Sequence, residues 1–283
     1  MIRLCAFADE AASSLHGQIE ALRESGIGYI ELRGINGKNI SAVTEGEARE
    51  YKRELDEGGI RVWSIGSPIG KVKITDDLDA HFELLRHVCR LANIFECDRV
   101  RMFSFYEAYG AEPAVLEALR TMVGIAREFG VTLCHENEKA IYGDTAERVL
   151  RLAENIEGLH FVYDPANFIE TGESPAVTLE ALFDKTDYFH IKDATLDERK
   201  VVPAGFGGGR IAELVGMIGS SDKVLSIEPH LMVFEGYSQF DNTEIQDKFV
   251  YKSNREAFRA AVDAIKKVIL GEGYLETMGG FIK

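Results

Sequence analysis

Eight short apolar or β-branched runs alternate strictly with eight segments of helical period across 283 residues, and this alternation predicts a parallel α/β barrel closed on itself, a single (β/α)8 TIM barrel spanning 1–283. The second observation lies just past the first run. No GxGxxG opens a helix there, as a dinucleotide-binding open sheet would require. An open doubly wound sheet is the alternative architecture, but it would seldom need eight equal units.

The first run, IRLCAF at 2–7, precedes apolar residues at three- and four-residue spacing over 15–25. YIEL at 29–32 leads to a helix over 44–58, and EGGIRV sets Gly59 just past its end. IRVWSI at 60–65 precedes a helix over 76–96, and Trp63 within it reads as core. RVRMF at 99–103 precedes 112–129, where FGVTL sets Gly130 past the helix end. VTLCH at 131–135 precedes 144–155, where GDTAERVL offers Asp144 or Thr145 as the N-cap. LHFVY at 159–163, YFHI at 188–191 and VLSI at 224–227 precede helices over 176–183, 208–218 and 253–269. No internal repeat or low-complexity segment accompanies this rhythm.

Composition narrows the class of function. No apolar stretch nears the ~18 residues of a membrane span, and MIRLCAFADE is too short and acidic for a secretory signal. The expectation is a cytoplasmic protein with no membrane partner. Cys5, Cys89, Cys97 and Cys134 lack CxxC spacing and read as buried thiols. With 47 acidic against 32 basic side chains, the net charge of −15 repels polyanions, so no nucleic-acid partner is expected. Most acids lie on solvated helix faces such as EGEAREYKRELDE.

In a barrel of this kind the loops after the strands converge on one mouth, so chemistry gathers at the strand ends. Strand five ends in CHENEK with Glu136 and Glu138, and strand six in VYDPANF with Asp164 and Asn167. Strand seven, in DYFHIKDATL, carries His190, and strand eight ends in SIEPH with Glu228 and His230. Each has an ordinary reading: a core histidine, an Asp-Pro turn at Asp164, a solvated Glu228, a Glu136–Lys139 pair. One shared site explains all four placements together. Carboxylates crowded into a low-dielectric site raise one another's pKa, and a divalent cation resolves the conflict. Oxygen donors with one imidazole suit Mn²⁺ or Mg²⁺, with Co²⁺, Fe²⁺ or Zn²⁺ as further candidates.

At these motifs the sequence resembles the xylose isomerase-like barrel superfamily of sugar phosphate isomerases and epimerases, which includes ketose 3-epimerases, hydroxypyruvate isomerases, inosose dehydratases and, more distantly, endonuclease IV. The likeness runs from FADEAASSLHGQIEALRESGIGYIELR to the last helix, and the ordered set EN, DPAN, HIKD and SIEP is its most specific part. The resemblance implies one divalent metal held by Glu136, Asp164, His190 and Glu228, with Glu136 and Glu228 also the two proton-transfer bases. It implies a sugar or sugar-phosphate substrate whose carbonyl and neighbouring hydroxyl meet the metal, so that loss of a proton between them gives an enediolate. Asn167 departs from the family, where a substrate-touching histidine is common, and the family's substrate-binding arginine has no clear counterpart. An inosose-dehydratase-type lyase and a nuclease resembling endonuclease IV are the alternative activities.

Further substrate-binding candidates come from the loops. VPAGFGGGRI at 202–211 is placed where a barrel holds an anion on backbone N–H groups, with Arg210 as a clamp, although a turn needing positive φ explains it equally. Lys71 in SPIGK can reach a hydroxyl or phosphate, and Lys192 shares the side of His190 by alternation. Asn167 and His230 complete the candidates. The aromatic stretch within 229–252 reads as a subunit contact in a homo-oligomer, ahead of a lid or simple packing.

Overall fold

The computed structural model describes residues 1–233 and 249–283. All eight expected runs become strands: β1 Ile2–Ala6, β2 Tyr29–Leu32, β3 Arg61–Gly66, β4 Arg99–Met102, β5 Thr132–Glu136, β6 His160–Tyr163, β7 Thr186–Ile191 and β8 Lys223–Ile227. They pair in chain order, every neighbour parallel, and β8 returns to β1 with Ile2 opposite Lys223 and Ala6 opposite Ile227. The result is the closed (β/α)8 TIM barrel.

Helices α1 Leu15–Glu24, α2 Glu45–Gly58, α3 Leu78–Ile94, α4 Glu112–Glu128 and α5 Ala146–Asn155 cover the first five strands. Their starts are set by side chains that satisfy free N–H groups. Thr44 and Glu47 form a reciprocal capping box on α2, Asp77 caps α3, and Thr145 rather than Asp144 caps α5. Asp144 instead accepts from Tyr109 Oη at 2.8 Å. After β6 the chain differs from the expectation, because a short helix α6, Pro165–Thr171, precedes α7, Pro175–Leu182. Asp164 is its N-cap and Pro165 its first residue, a pairing that needs little length to start a helix. The seventh of the expected helices is α8, Ile211–Ile218, which begins three residues later than expected because the glycine turn before it wraps the Asp193 carboxylate. The last helix, α9, runs Asn254–Gly271.

Two-residue alternation stacks the barrel interior in layers. Cys5, Cys134, Val162, Tyr188 and Val224 form an apolar floor with Tyr29 and Trp63. Above it Tyr188 Oη donates to Glu31 at 2.8 Å, and Ser226 Oγ donates to the same carboxylate at 2.6 Å. The top layer is charged. Trp63 packs on the core cluster of the floor from its edge: it is partly buried, at the foot of the barrel, with Arg99 4.4 Å above its ring. The β2–β3 register slips between Ile30 and Glu31, a bulge that turns Trp63 and Ser64 both toward Tyr188. An antiparallel hairpin of Leu275–Thr277 and Gly280–Ile282 joins β1 through Ile2 opposite Phe281, an element with no signal in the helical and strand periods. Among the described residues no helix is long and apolar enough to cross a membrane.

Candidate metal centre

Each side chain of the top layer arrives from the carboxyl end of a strand. Glu136 ends β5, Asp164 comes directly after β6, His190 lies in β7 and Glu228 comes directly after β8. All four are buried, and one donor atom from each lies within 4.8 Å of the others. His190 Nδ1 is 2.9 Å from Glu136 Oε1 and 3.6 Å from Glu228 Oε2, so one ring nitrogen faces the carboxylates. Its Nε2 is 3.1 Å from Glu31 Oε2 below, which fixes the ring's orientation from the opposite side.

Asp164 divides its work between two oxygens. Oδ1 accepts the N–H of Asn167 at 3.0 Å, the cap that starts α6. Oδ2 is buried with no hydrogen-bond partner among the described residues, although Lys192 Nζ lies 3.2 Å away. Asn137 holds the Asp164 backbone from both sides, at 2.8 Å each. The turn reading and the site reading of Asp164 are therefore both fulfilled, by different atoms.

Two guanidinium groups and one ammonium frame the acids. Arg33, 2% exposed, forks onto Asp9 at 2.9 and 3.0 Å, reaches Glu10 at 3.0 Å and reaches Glu228 Oε1 at 2.9 Å. Arg101 Nε is 3.2 Å from Glu136 Oε2, and its Nη1 donates to the Ser67 carbonyl at 2.9 Å. Lys192 Nζ stands between Asp164 and Glu228, 3.4 Å from the latter.

These neighbours separate the carboxylates electrostatically. Burial alone would raise the Glu136 carboxyl, yet His190 and Arg101 hold it below the ordinary carboxylate range. Burial is likewise outweighed at Glu228, where Lys192, His230, His190 and Arg33 hold the carboxyl well below that range. At Asp164 burial wins: the carboxyl is pushed up to about 8 against the pull of Lys192, with Glu228 and Glu136 adding to the rise. Protein cations thus suffice for two of the three carboxylates. The third keeps a buried oxygen with no hydrogen bond among the described residues, 3.2 Å from Lys192 Nζ, and the donor set fits a hard divalent cation.

The remaining candidates divide. Asn167 Nδ2 donates to the Asn137 carbonyl at 2.9 Å and reaches Glu136 Oε1 at 3.3 Å, so it braces a site carboxylate. Lys192 is the ion-pair partner described above. Lys71 lines the pocket beside Phe103, 3.1 Å from Glu138 Oε2. His230, in a left-handed conformation at φ 44°, stands 3.3 Å from Glu10 and 3.5 Å from Glu228. Lys139 pairs with Glu170 at 2.7 Å, so the Glu136–Lys139 pair does not form. Arg210 is not brought to the pocket; it is half exposed and paired with Glu213 on its own helix. Nor does the glycine turn offer free N–H groups, because Gly205, Gly207 and Gly209 all donate to the Asp193 carboxylate. The proposed subunit contact falls mostly on 234–248, outside the described residues.

Reading strand ends five to eight missed Asp9, Glu10, Glu31, Arg33 and Arg101. A signal existed for three of them: alternation in YIELR and RVRMF points Glu31 and Arg33, and then Arg101, along the same inner face.

The profile of the family described as xylose isomerase-like TIM barrel matches residues 19–230. Among proteins of curated function no sequence match is found. The probable 3-DHS dehydratase AsbF of petrobactin synthesis from Bacillus anthracis superposes with a TM-score of 0.72 at 14% identity, over 94% of this chain and 99% of that one. The IOLI protein with a bound zinc atom gives 0.71 at 17%, over 95% and 99%. D-psicose 3-epimerase with D-tagatose from Clostridium cellulolyticum H10 gives 0.70 at 14%, over 94% and 99%. At such identities these likenesses concern the fold.

Proposed function

The chain belongs to the xylose isomerase-like TIM barrel family, and from that premise we propose that it is a divalent-metal-dependent isomerase or epimerase of a sugar or sugar phosphate. The reaction removes a proton beside a carbonyl to form an enediolate. The observation that carries the reading is the convergence of Glu136, Asp164, His190 and Glu228, with donor atoms within 4.8 Å of one another. We assign these four as the metal ligands, with Mn²⁺ or Mg²⁺ favoured by the oxygen-rich set. A divalent ion held there supplies Lewis acidity toward a carbonyl oxygen and its neighbouring hydroxyl.

Glu136 and Glu228 serve as the two bases. They enter from β5 and β8 with His190 between them, Arg101 beside the first, and Lys192, His230 and Arg33 beside the second. Each is held ionised, the form that accepts a proton. Removal by one and return by the other inverts a carbon centre, which is epimerisation. Return to the adjacent carbon moves the carbonyl, which is isomerisation. Lys71 and His230 line the substrate side of the pocket, and Asn167 braces Glu136.

The test is isotopic. Mn²⁺-loaded protein incubated in D₂O with ketoses, ketose phosphates and inososes is expected to place deuterium at an inverted carbon or beside a shifted carbonyl. No incorporation into any ketone of the panel overturns the reading. A lyase of the inosose-dehydratase type is the second reading, favoured by the His230 ring 3.5 Å from Glu228, an acid–base group beside the proposed base where a leaving hydroxyl can be met. Net loss of water from the product would identify it. A multi-metal nuclease is disfavoured, because the second carboxylate–imidazole group, Glu10, Glu228 and His230, already surrounds the Arg33 guanidinium.

A further inference from the structure

We propose that His81 is a positioning residue of the pocket: from α3, outside the barrel, its imidazole fixes the loop after β3 and so sets where Lys71 stands against a bound substrate. This rests on the reading that the pocket at the strand ends takes the substrate, and deepens it. His81 is 6% exposed, and its Nε2 accepts the N–H of Gly70 at 2.9 Å. A backbone N–H only donates, so Nε2 carries no proton and the ring is the neutral Nδ1–H tautomer. Burial, the larger influence, holds the imidazole below its ordinary value against the pull of Asp76, and so keeps it an acceptor at neutral pH. The Phe105 ring, tilted with its centroid 6.5 Å away, packs beside it.

Gly70 needs such a partner more than another residue would. Glycine turns freely into either hand, so the direction of the side chain after it depends on what holds the peptide groups on its two sides. All four polar groups of those two peptides are bonded. Phe103 N–H donates to the Ile69 carbonyl at 2.8 Å, Phe105 N–H donates to the Gly70 carbonyl at 2.9 Å, and Lys71 N–H donates back to the Pro68 carbonyl at 3.0 Å. These three tie the loop to itself and to the loop after β4. The fourth, from Gly70 N–H to His81, ties that rim to the helical wall behind it. Lys71 follows directly, on the pocket wall, with Nζ 4.4 Å from the centre of the Phe103 ring and 3.1 Å from Glu138 Oε2. His81 does not line the pocket, so its influence arrives through Gly70 and Lys71.

The test is made on the metal-loaded full chain, as wild type, His81→Leu and His81→Gln, whose side-chain oxygen can accept the same N–H. By NMR the Gly70 amide is expected to exchange with solvent about 10-fold faster or more in His81→Leu, with the Lys71 amide resonance displaced, and both are expected to recover in His81→Gln. On the ketone that the D₂O panel turns over, His81→Leu should raise KM roughly 3- to 10-fold with kcat little changed, and Lys71→Met should do the same. Because His81 acts through Lys71, the double variant should be no worse than Lys71→Met. A double variant whose KM carries the product of the two effects overturns the inference. Equal protection of Gly70 in wild type and His81→Leu overturns it as well. Turnover of no ketone overturns the isomerase reading alone, and the amide measurements then decide on His81. Where His81→Leu does not fold, the imidazole ¹⁵N shifts of the wild type decide: a protonated Nε2 overturns the inference, and an unprotonated one supports it.

Discussion

His190 is gripped at both ring nitrogens by carboxylates, and only one of them, Glu136, belongs to the rim; the other, Glu31, is held in turn by Tyr188 and Ser226. A carboxylate behind an imidazole fixes its tautomer and aim. Glu31→Gln is therefore expected to weaken metal affinity by roughly 10- to 100-fold, read by competition against a chelator, with the fold retained. Unchanged affinity would show that the ring needs no such brace. Arg33 makes a different prediction, for stability. Removing its charge in Arg33→Met leaves Asp9, Glu10 and Glu228 buried without their shared cation, and loss of one partner from such a cluster costs about 3–5 kcal/mol. Urea unfolding measures it, and a loss below about 1 kcal/mol would mean the network relaxes freely.

At the scale of elements, the loops matter more than the strands. Gly70, at φ +87°, carries the β3 loop against β4 so closely that a Cβ would lie 2.0 Å from the Phe103 carbonyl oxygen. The next residue is Lys71, so this contact sets a pocket wall. Gly70→Ala should destabilise by more than the roughly 1 kcal/mol of an ordinary glycine replacement, and thermal melting checks it. The feet of β6 and β7 are joined by His160 Nδ1 and Asp187 Oδ2 at 2.7 Å. Asp187 raises the His160 pKa above its ordinary value, while burial at Asp187 is outweighed by His160 so that its carboxyl lies lower. A raised histidine contributes stability that is full below about 6.5 and fades as pH rises through its folded value. A lowered aspartate contributes stability present above about 4 and lost as pH falls. Asp187→Asn should therefore lower Tm most between about pH 4.5 and 6.5, converging with wild type on either side. The effect is small because the pair is partly solvated. A pH-independent difference would assign it to packing instead.

For the molecule as a whole, the barrel is legible in the sequence because its signal is periodic and repeated eight times, and the helix bounds are legible where a boundary residue such as Gly59 or Thr145 stands at the joint. The parts that stay hidden are non-periodic or non-local: α6 is too short to show a period, Trp63 sits on a bulge, and Arg33 meets Glu228 across 195 residues. VPAGFGGGRI shows its glycines in the sequence but not the carboxylate they enclose. The four proposed ligands come from β5 to β8, the half of the cylinder that ends at the β8–β1 seam, so a shared cation ties consecutive strands across that half. Binding that requires the closed barrel stabilises it by mass action, about 2.7 kcal/mol at a free metal concentration 100-fold above Kd. For a chain of this size that corresponds to a rise of roughly 4–5 °C in Tm. Calorimetry of chelator-stripped and Mn²⁺-saturated protein should show this rise, and it should vanish in Asp164→Asn and in His190→Ala. A wild-type Tm indifferent to Mn²⁺, Mg²⁺, Co²⁺ and Zn²⁺ alike would leave the four side chains as a buried ion-pair network, and the chemistry assigned to them would fall with it.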